Sequence, residues 1–267
     1  MRGRVLIVAG SDSGGGAGIQ ADIKTVTALG GFAMTAITAL TAQNTLGVHG
    51  VLPIAPDFIA RQMEVVLDDL GADAVKTGML HDSAVIRTVA DMLAAKAPDV
   101  PLVCDPVMIA KGGHALLVES AVDALRTLLL PRAAVLTPNL PEAETLLGRP
   151  IGDLSAMEEA AVALRRLGPA AVLLKGGHGA GEEVVDVLAD AHGVHRFRSQ
   201  RIATRHTHGT GCTLASAIAT GIAQGMELAA AVGRARDYVQ EAIRRAPGYG
   251  AGHGPLDHGY TMRAPGS

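Results

Sequence analysis

Short apolar runs alternate with longer helical patterns along most of the chain, and this alternation is the feature that most limits the folds open to it. The runs carry few charges before their C-terminal ends: RVLIVAG (4–10), AMTAITALT (33–41), DAVKTGM (73–79), PLVCDPV (101–107), AAVLTPN (133–139) and AAVLLKGG (170–177). Uniformly apolar strands are typical of a parallel sheet that helices cover on both faces. The pattern therefore predicts an α/β fold in three layers, with a mainly parallel central sheet.

Two segments between the runs add detail to this prediction. The stretch SAMEEAAVALRRLG (155–168) is helical in pattern, and Ser155 with Glu158 three residues later predicts a capping box at its start. The stretch 182–200 alternates apolar and polar residues around His192-Gly193, which predicts an antiparallel hairpin with one solvated face. Residues 209–246 are helical in pattern, and the Gly/Pro/His-rich residues 253–267 predict an irregular tail. We expect one domain over residues 1–267.

Composition excludes several classes of protein. The formal net charge is −3 with no run of Lys or Arg, so nucleic-acid binding is not expected. No stretch approaches the roughly 18 apolar residues of a membrane span, and the N-terminal apolar run is too short for a signal peptide. Cys104 and Cys212 do not form a CxxC pair, so neither a disulfide framework nor a zinc site is indicated. We expect a cytoplasmic protein.

Polar side chains collect where the apolar runs end. In an open parallel sheet, ligands bind beyond the carboxyl ends of the strands, so these side chains are expected to surround one cleft. They are Gln43, Lys76, Asp105, Asn139, Glu142 and Lys175.

Two glycine-rich segments are candidates for phosphate binding. GSDSGGGAGIQAD (10–22) lacks the Lys-Ser/Thr pair of a P-loop, and it fits the dinucleotide fingerprint only loosely, because the next run ends in Gln43 rather than in an acidic residue. The turn Gly209-Thr210-Gly211-Cys212 directly precedes a helical pattern of small residues. Amides at a helix N-terminus bind anions and stabilise charge on a phosphoryl group in transfer. The second turn is therefore the better candidate.

Seven ordered motifs together resemble the hydroxymethylpyrimidine/phosphomethylpyrimidine kinases of the ribokinase superfamily. They are AGSDSGGGAGIQADIKT, TALTAQNTLGVHGV, KTGML, DPVMIAKGG, LTPNLPEAE, LLKGGH and THGTGCTLASAIA, and the match runs from about residue 5 to residue 258. The resemblance implies a ribokinase-like fold and two ATP-dependent phosphorylations for thiamine biosynthesis. The substrate would be 4-amino-5-hydroxymethyl-2-methylpyrimidine, converted to its monophosphate and then to its diphosphate. ATP and Mg²⁺ are the implied cofactors, and a homodimer is common in the family.

Gln43 is the residue expected to read the substrate. A carboxamide offers an acceptor oxygen beside a donor nitrogen, which matches the ring nitrogen and amine of an aminopyrimidine edge. The resemblance implies that the first glycine-rich segment lines the pyrimidine site rather than an ATP phosphate. The further substrate-binding residues expected are Gly10, Ala17, Asp22, Met79 and Val107.

The other end of the cleft is expected to hold phosphate and metal. Lys175 would meet the transferring phosphate as a point charge, with Lys111 a weaker candidate. Oxygen ligands suit Mg²⁺ held largely through water, and the resemblance supports Asn139 and Glu142 in that role, with Asp105 less certain. The resemblance also implies nucleotide contacts for Thr210, Asn139, Asp105 and Lys175, and an anion hole at Gly209 and Gly211.

Cys212 stands where many sugar kinases of the superfamily carry an aspartate base. A helix N-terminus lowers a thiol pKa, so the Cys212 thiolate is a candidate base; alternatively, Cys212 only positions the substrate hydroxyl. His206 and His208 are expected to be structural. Arg236 stands where we expect lysine in many relatives, which weakens a nucleotide role for its helix.

Two other functions are compatible with these motifs. Pyridoxine or pyridoxal kinases share the fold, although TAQNT and KTGML favour the pyrimidine substrate. A non-catalytic pyrimidine-binding regulator on the same fold is the other alternative, and the intact Lys175 and GTGC turn argue against it.

Overall fold

The computed structural model describes residues 3–108, 121–177 and 181–263 of the chain. Its strands are β1 (Arg4–Ala9), β2 (Phe32–Ile37), β3 (Ala39–Asn44), β4 (Gly47–Pro53), β5 (Ala74–Thr77), β6 (Leu102–Cys104), β7 (Ala133–Leu136), β8 (Ala171–Leu174), β9 (Glu183–Asp190) and β10 (Gly193–Gln200). Its α-helices are α1 (Gly18–Ala28), α2 (Pro56–Asp69), α3 (Ser83–Lys96), α4 (Val122–Ala124), α5 (Leu140–Leu147), α6 (Leu154–Arg165), α7 (Thr210–Ala223) and α8 (Leu228–Arg244). A π-helical turn (Leu125–Leu129) and two 3₁₀ turns (Leu130–Arg132 and Tyr260–Met262) complete the helical segments.

Eight strands form one mainly parallel sheet in the order β10-β9-β8-β7-β6-β5-β1-β2. All neighbours from β2 to β8 are parallel, whereas β9 is antiparallel to both β8 and β10. The predicted parallel sheet and the predicted hairpin near 182–200 are thus confirmed.

The central parallel strands β1, β5, β6, β7 and β8 are buried on both faces, as their apolar sequences predict. In β1, Leu6 and Val8 belong to the core beneath α2, α3, α5 and α6. Val5 and Ile7 belong to the opposite core, beneath α1, α7 and α8. Successive residues of a strand point to opposite faces, so one strand supplies both cores.

The run 33–41 is not one strand, contrary to the prediction. β2 ends at Ile37, and β3 pairs with β4 in a separate two-stranded antiparallel sheet. Thr38 makes the corner: its N–H donates to the carbonyl of Ala9, and its own carbonyl accepts from the N–H of Ile54, just after β4. The two-stranded ribbon therefore extends beyond the main sheet and carries Gln43.

The predicted capping box at Ser155 is also wrong. α6 begins one residue earlier, and the side chain of Asp153 caps it by accepting from the N–H of Ala156 at 3.0 Å. Asp153 directly precedes the helix, and its carboxylate bonds one of the free amides of the first turn, so Ser155 does not act as the cap. The capping box of this chain lies at α5, between Asn139 and Glu142.

Helix α7 starts directly against the first glycine-rich segment. Gly209, its N-cap, has a φ of 83°, and a Cβ atom there would overlap the backbone carbonyl of Gly16. The close approach brings the GTGC turn and the glycine-rich loop to the same end of the sheet.

We predict that Gly209→Ala destabilises the protein more than Gly225→Ala. Gly225, just after α7, has a φ of 80° with no atom near its missing side chain, so alanine there costs only the left-handed strain of roughly 1–2 kcal/mol. Alanine at Gly209 adds a backbone overlap to the same strain. Urea unfolding of both variants measures the difference, and equal losses of unfolding free energy would show that the close approach is not required.

Candidate active site

A cavity of about 680 Å³ lies beyond the carboxyl ends of the parallel strands. All the predicted site residues except Asp22 line it: Gly10, Ala17, Gln43, Met79, Asp105, Val107, Asn139, Glu142, Lys175, Gly209, Thr210, Gly211 and Cys212. The fold thus brings together residues from nearly the whole length of the chain. Lys111 lies outside the described residues.

The carboxylate of Asp12 organises the glycine-rich loop. Its Oδ1 atom accepts from the N–H of Gly14 at 2.8 Å, and its Oδ2 atom accepts from the N–H groups of Gly16 at 3.1 Å and Ala17 at 2.8 Å. Burial opposes ionisation, but His208 and the loop amides together hold the pKa of Asp12 below its ordinary value. These three amides are already satisfied, so the loop is not built to hold an ATP phosphate. Aspartate just before a glycine run was the available sequence signal.

His208 lines the cavity, although we expected it to be structural. Its Nε2 atom lies 2.8 Å from the Oδ2 atom of Asp12 and 3.3 Å from the carboxamide of Gln43. His208 is 8% exposed, and its place between a buried carboxylate and the predicted substrate-reading residue gives it a part in the site. His206, two residues earlier, does not line the cavity.

Met79 and Gly10 form one apolar wall of the cavity. A Cβ atom on Gly10 would lie against the terminal methyl group of Met79, so glycine makes room for the thioether side chain. Met79 is almost fully buried and lines the cavity. A flat ring in the cavity would contact its sulfur-bearing side chain.

Lys175 meets Asp105 and the start of α7 at the centre of the cavity. The Nζ atom of Lys175 lies 3.1 Å from Oδ1 of Asp105. A Cβ atom on Gly211 would be 3.4 Å from that Nζ atom and 3.8 Å from Oδ2 of Asp105. Although burial works against the ammonium, Asp105 and Glu142 raise the pKa of Lys175. A permanent cation therefore stands beside amides at a helix N-terminus.

Asn139 and Glu142 hold each other through the capping box of α5. The N–H of Asn139 donates to Oε2 of Glu142 at 2.8 Å, and the N–H of Glu142 donates to Oδ1 of Asn139 at 2.9 Å. Burial, opposed by Lys175 and assisted by Asp105, raises the pKa of Glu142 to about 7. The described residues hold no cluster of three metal-ligating side chains. Mg²⁺ bound through water needs only one or two carboxylates, and Asp105 and Glu142 fit that requirement.

Cys212 is not the low-pKa thiol that its helix position predicted. Removal from water raises the pKa of its thiol to about 12; Lys76 acts in the opposite direction, while Asp22 and Asp105 add to the rise. Burial and these carboxylates outweigh the helix N-terminus. The thiol is neutral near pH 7, which favours positioning of a hydroxyl over action as a base.

Asp22 lies beneath the cavity instead of lining it. The Nζ atom of Lys76 is 2.9 Å from both carboxylate oxygens of Asp22, and both side chains are fully buried. Ser216 donates to the same carboxylate at 2.6 Å. Asp22 thus supports Lys76, which lines the cavity as expected from its place near the end of an apolar run. The expected contact between Asp22 and substrate does not match this placement.

The far end of the cavity has an apolar wall and one buried ion pair. Arg236 Nε lies 2.8 Å from Oδ2 of Asp186, whose other oxygen accepts from the N–H of Gly176 at 2.8 Å. The wall consists of Val184, Ile202, Val239 and Ile243. An arginine thus occupies the place where lysine was expected, and its guanidinium is engaged by a carboxylate.

The family model for phosphomethylpyrimidine kinase matches residues 12–257. The chain belongs to this family. It is 49% identical over 258 residues to the hydroxymethylpyrimidine/phosphomethylpyrimidine kinase of Streptomyces coelicolor, covering 97% of this chain and 95% of that protein. It is 52% identical over 257 residues to the thiamine biosynthesis bifunctional protein ThiED of Geobacter sulfurreducens, covering 96% of this chain but only 52% of that longer protein.

A solved structure supports the same fold. The pyridoxal kinase of Staphylococcus aureus in complex with AMP-PCP and pyridoxal superposes with a TM-score of 0.88 at 33% identity, covering 96% of this chain and 93% of that one. The predicted ribokinase-like architecture and the family resemblance are both confirmed. Among the described residues, no helix is both long and apolar enough to cross a membrane.

We predict that ionisation of Glu142 destabilises the fold and that Glu142→Gln removes this effect. A carboxyl whose folded pKa is raised contributes stability below pH 4.5, and this contribution is lost as the pH rises to about 7. At 1.36 kcal/mol per unit, wild type should lose roughly 2–4 kcal/mol relative to the variant over that range. Denaturant unfolding at pH 5 and pH 8 measures it. A constant difference between the two proteins would contradict the raised pKa.

Proposed function

We propose that this chain transfers the γ-phosphoryl group of ATP to 4-amino-5-hydroxymethyl-2-methylpyrimidine, and then a second phosphoryl group to the monophosphate. The observation that carries the proposal is one cavity in which one end and the centre are lined by different kinds of group. A carboxamide and a thioether stand at one end, and a buried ammonium beside a helix N-terminus stands at the centre.

The substrate end suits a small, flat, hydrogen-bonding ring. Gln43 offers a donor and an acceptor side by side, which fit the ring nitrogen and the amine of an aminopyrimidine. Met79 packs directly against Gly10, and the two together offer an apolar surface for the ring face. Ala17 and Val107 complete the apolar lining around it.

The centre of the cavity suits a transferring phosphoryl group. Phosphoryl transfer needs positioning and charge stabilisation more than it needs an activated nucleophile. Lys175 supplies a fixed cation, and Gly211 in the first turn of α7 lies beside its Nζ atom, where a helix start would add partial positive charge. The neutral thiol of Cys212 would then orient the attacking hydroxyl, whose proton would pass to an oxygen of the transferred phosphoryl group as the bond to phosphorus forms.

ATP and Mg²⁺ complete the proposal. The adenosine end of ATP would lie against the apolar wall near Val239, with Thr210 contacting its phosphates. Glu142, Asn139 and Asp105 would hold Mg²⁺ largely through water, and the bound ion would neutralise charge on the nucleotide phosphates. Holding the metal requires Glu142 to be ionised, so its pKa near 7 makes metal affinity dependent on pH.

Phosphorylation of pyridoxal is the second candidate activity. The Staphylococcus aureus relative is a pyridoxal kinase, and its chain superposes closely on this one. The relatives at 49% and 52% identity are instead named as a hydroxymethylpyrimidine/phosphomethylpyrimidine kinase and as a thiamine biosynthesis protein, which favours the aminopyrimidine. A non-catalytic regulator is the weaker alternative, because the cation and the helix N-terminus remain in place.

We also propose that the protein is a cytoplasmic homodimer. The ribbon β3–β4 and the neighbouring helix α2 expose large apolar side chains, with Leu46, Leu52 and Phe58 each about 60% exposed. A second copy of the chain would cover this surface. The two cysteines are unpaired, which suits the reducing cytoplasm.

We predict that the purified protein releases ADP with the aminopyrimidine alcohol and with its monophosphate, more efficiently than with pyridoxal. Lys175→Ala should lower kcat for both steps by roughly 10²–10³-fold, since each step moves a phosphoryl group past the same cation. Lys96→Ala, which removes an ammonium on the surface helix α3, is the control and should leave both rates unchanged. Faster turnover of pyridoxal than of the pyrimidine would reverse the assignment.

A further inference from the structure

The contacts around Gln43 decide which end of its carboxamide points which way. The nitrogen and oxygen of a carboxamide have nearly the same shape, so their partners assign them. Gln43 has one such partner on each side: the His208 ring at 3.3 Å, and the Thr41 hydroxyl, also at 3.3 Å.

On the first side, the partner is a donor. Asp12 is an ionised carboxylate that already accepts three backbone N–H groups, and the Nε2 atom of His208 is 2.8 Å from it. A nitrogen so close to a carboxylate oxygen must carry the proton that joins them. In the structure the Gln43 nitrogen faces His208, so the N–H groups of the carboxamide meet the N–H of the ring and neither can accept from the other. The Gln43 oxygen would instead accept a share of the His208 proton.

On the second side, the partner is an acceptor. The Thr41 hydroxyl donates its single proton to the carbonyl of Ser11 at 2.9 Å. The shorter contact uses that proton, so the Thr41 oxygen has only lone pairs for Gln43. The carboxamide nitrogen belongs on this side. Both neighbours therefore require the same orientation, with oxygen toward His208 and nitrogen toward Thr41.

We propose that His208, held by Asp12, and Thr41, held by Ser11, are positioning residues that lock the Gln43 carboxamide in this one orientation. The remaining lone pair of its oxygen and the remaining N–H then face the cavity in a fixed order. The substrate must place its exocyclic amine on the His208 side and its ring acceptor on the Thr41 side. The lock thereby selects an aminopyrimidine over the corresponding oxo-pyrimidine, whose edge presents an acceptor and a ring N–H in reversed order.

This inference rests on the proposed function, and the test separates the two. The probes are 4-amino-5-hydroxymethyl-2-methylpyrimidine and its 4-oxo analogue, each assayed for kcat/KM with saturating Mg-ATP. Wild type should prefer the amino compound by about 10²-fold or more, because the edge of the oxo compound would place an acceptor against the Gln43 oxygen and an N–H against the Gln43 nitrogen. Absence of ADP release with either compound would remove the proposed function itself.

His208→Leu should lower the preference by roughly 10-fold or more, because the carboxamide can then rotate to suit either edge. The loss should appear mainly in KM for the amino compound. His208→Gln keeps an N–H donor near the position of Nε2 and should keep most of the preference. His253→Leu, which changes an exposed histidine that contacts the carbonyl of Arg205, is the matched control and should keep all of it.

Thr41→Val tests the other side of the lock without changing the shape of the side chain. It removes the acceptor on the nitrogen side, and the preference should fall in the same direction as for His208→Leu. This variant also covers the case in which His208→Leu does not fold. Wild-type preference in a folded His208→Leu or Thr41→Val protein, with activity on the amino compound intact, would overturn the proposal.

Discussion

The carboxylate of Asp12 is the group on which the arrangement of this site depends. This one buried side chain accepts hydrogen bonds from the N–H groups of Gly14, Gly16 and Ala17 and from the ring of His208. Without those bonds, a loop with three glycines in a row would have many conformations open to it. With them, the loop has one, and its backbone presents the surface against which Gly209 packs.

The loop in turn fixes the positions of other groups around the cavity through direct contacts. Helix α7 begins where Gly209 meets Gly16, so its first turn lies beside Lys175 at the centre of the cavity. His208, just ahead of α7, connects the same carboxylate to Gln43 on the two-stranded ribbon. The tail contributes a further brace, since the carbonyl of Gly254 accepts from the N–H of His208. The ribbon that carries Gln43 and the start of α7 beside Lys175 are thus mechanically joined.

Much of this could be predicted from the sequence, because local patterns control it. Apolar strands covered on both faces indicate a parallel sheet, and strand ends in such a sheet meet at one edge, so Asp105, Asn139 and Lys175 were expected together. The GTGC turn before a helix of small residues pointed to the same edge. The exit of the chain from the sheet at Thr38 was missed, because the apolar pattern continues without a break from β2 into β3.

The rest could not be predicted because it depends on contacts between residues distant in sequence. Asp12 and His208 are 196 positions apart, and neither carries a local signal of the other. Burial is likewise a tertiary property: a helix N-terminus alone predicts an acidic thiol, but removal from water makes the Cys212 thiol a weak acid instead. Asp22 fits the same explanation, since its position on α1 does not reveal that it pairs with Lys76 instead of reaching the cavity. Native-state hydrogen exchange of the Gly14, Gly16 and Ala17 amides in wild type and Asp12→Asn tests the central claim most directly, with the Val75 amide of β5 as internal reference. The account predicts that either the Gly14 amide or the Gly16 and Ala17 amides together exchange at least about 10-fold faster in the variant while Val75 is unchanged, because asparagine keeps one acceptor oxygen and its amide nitrogen cannot accept the hydrogen bonds on the other side. Unchanged exchange at all three positions would show that Asp12 does not hold the loop.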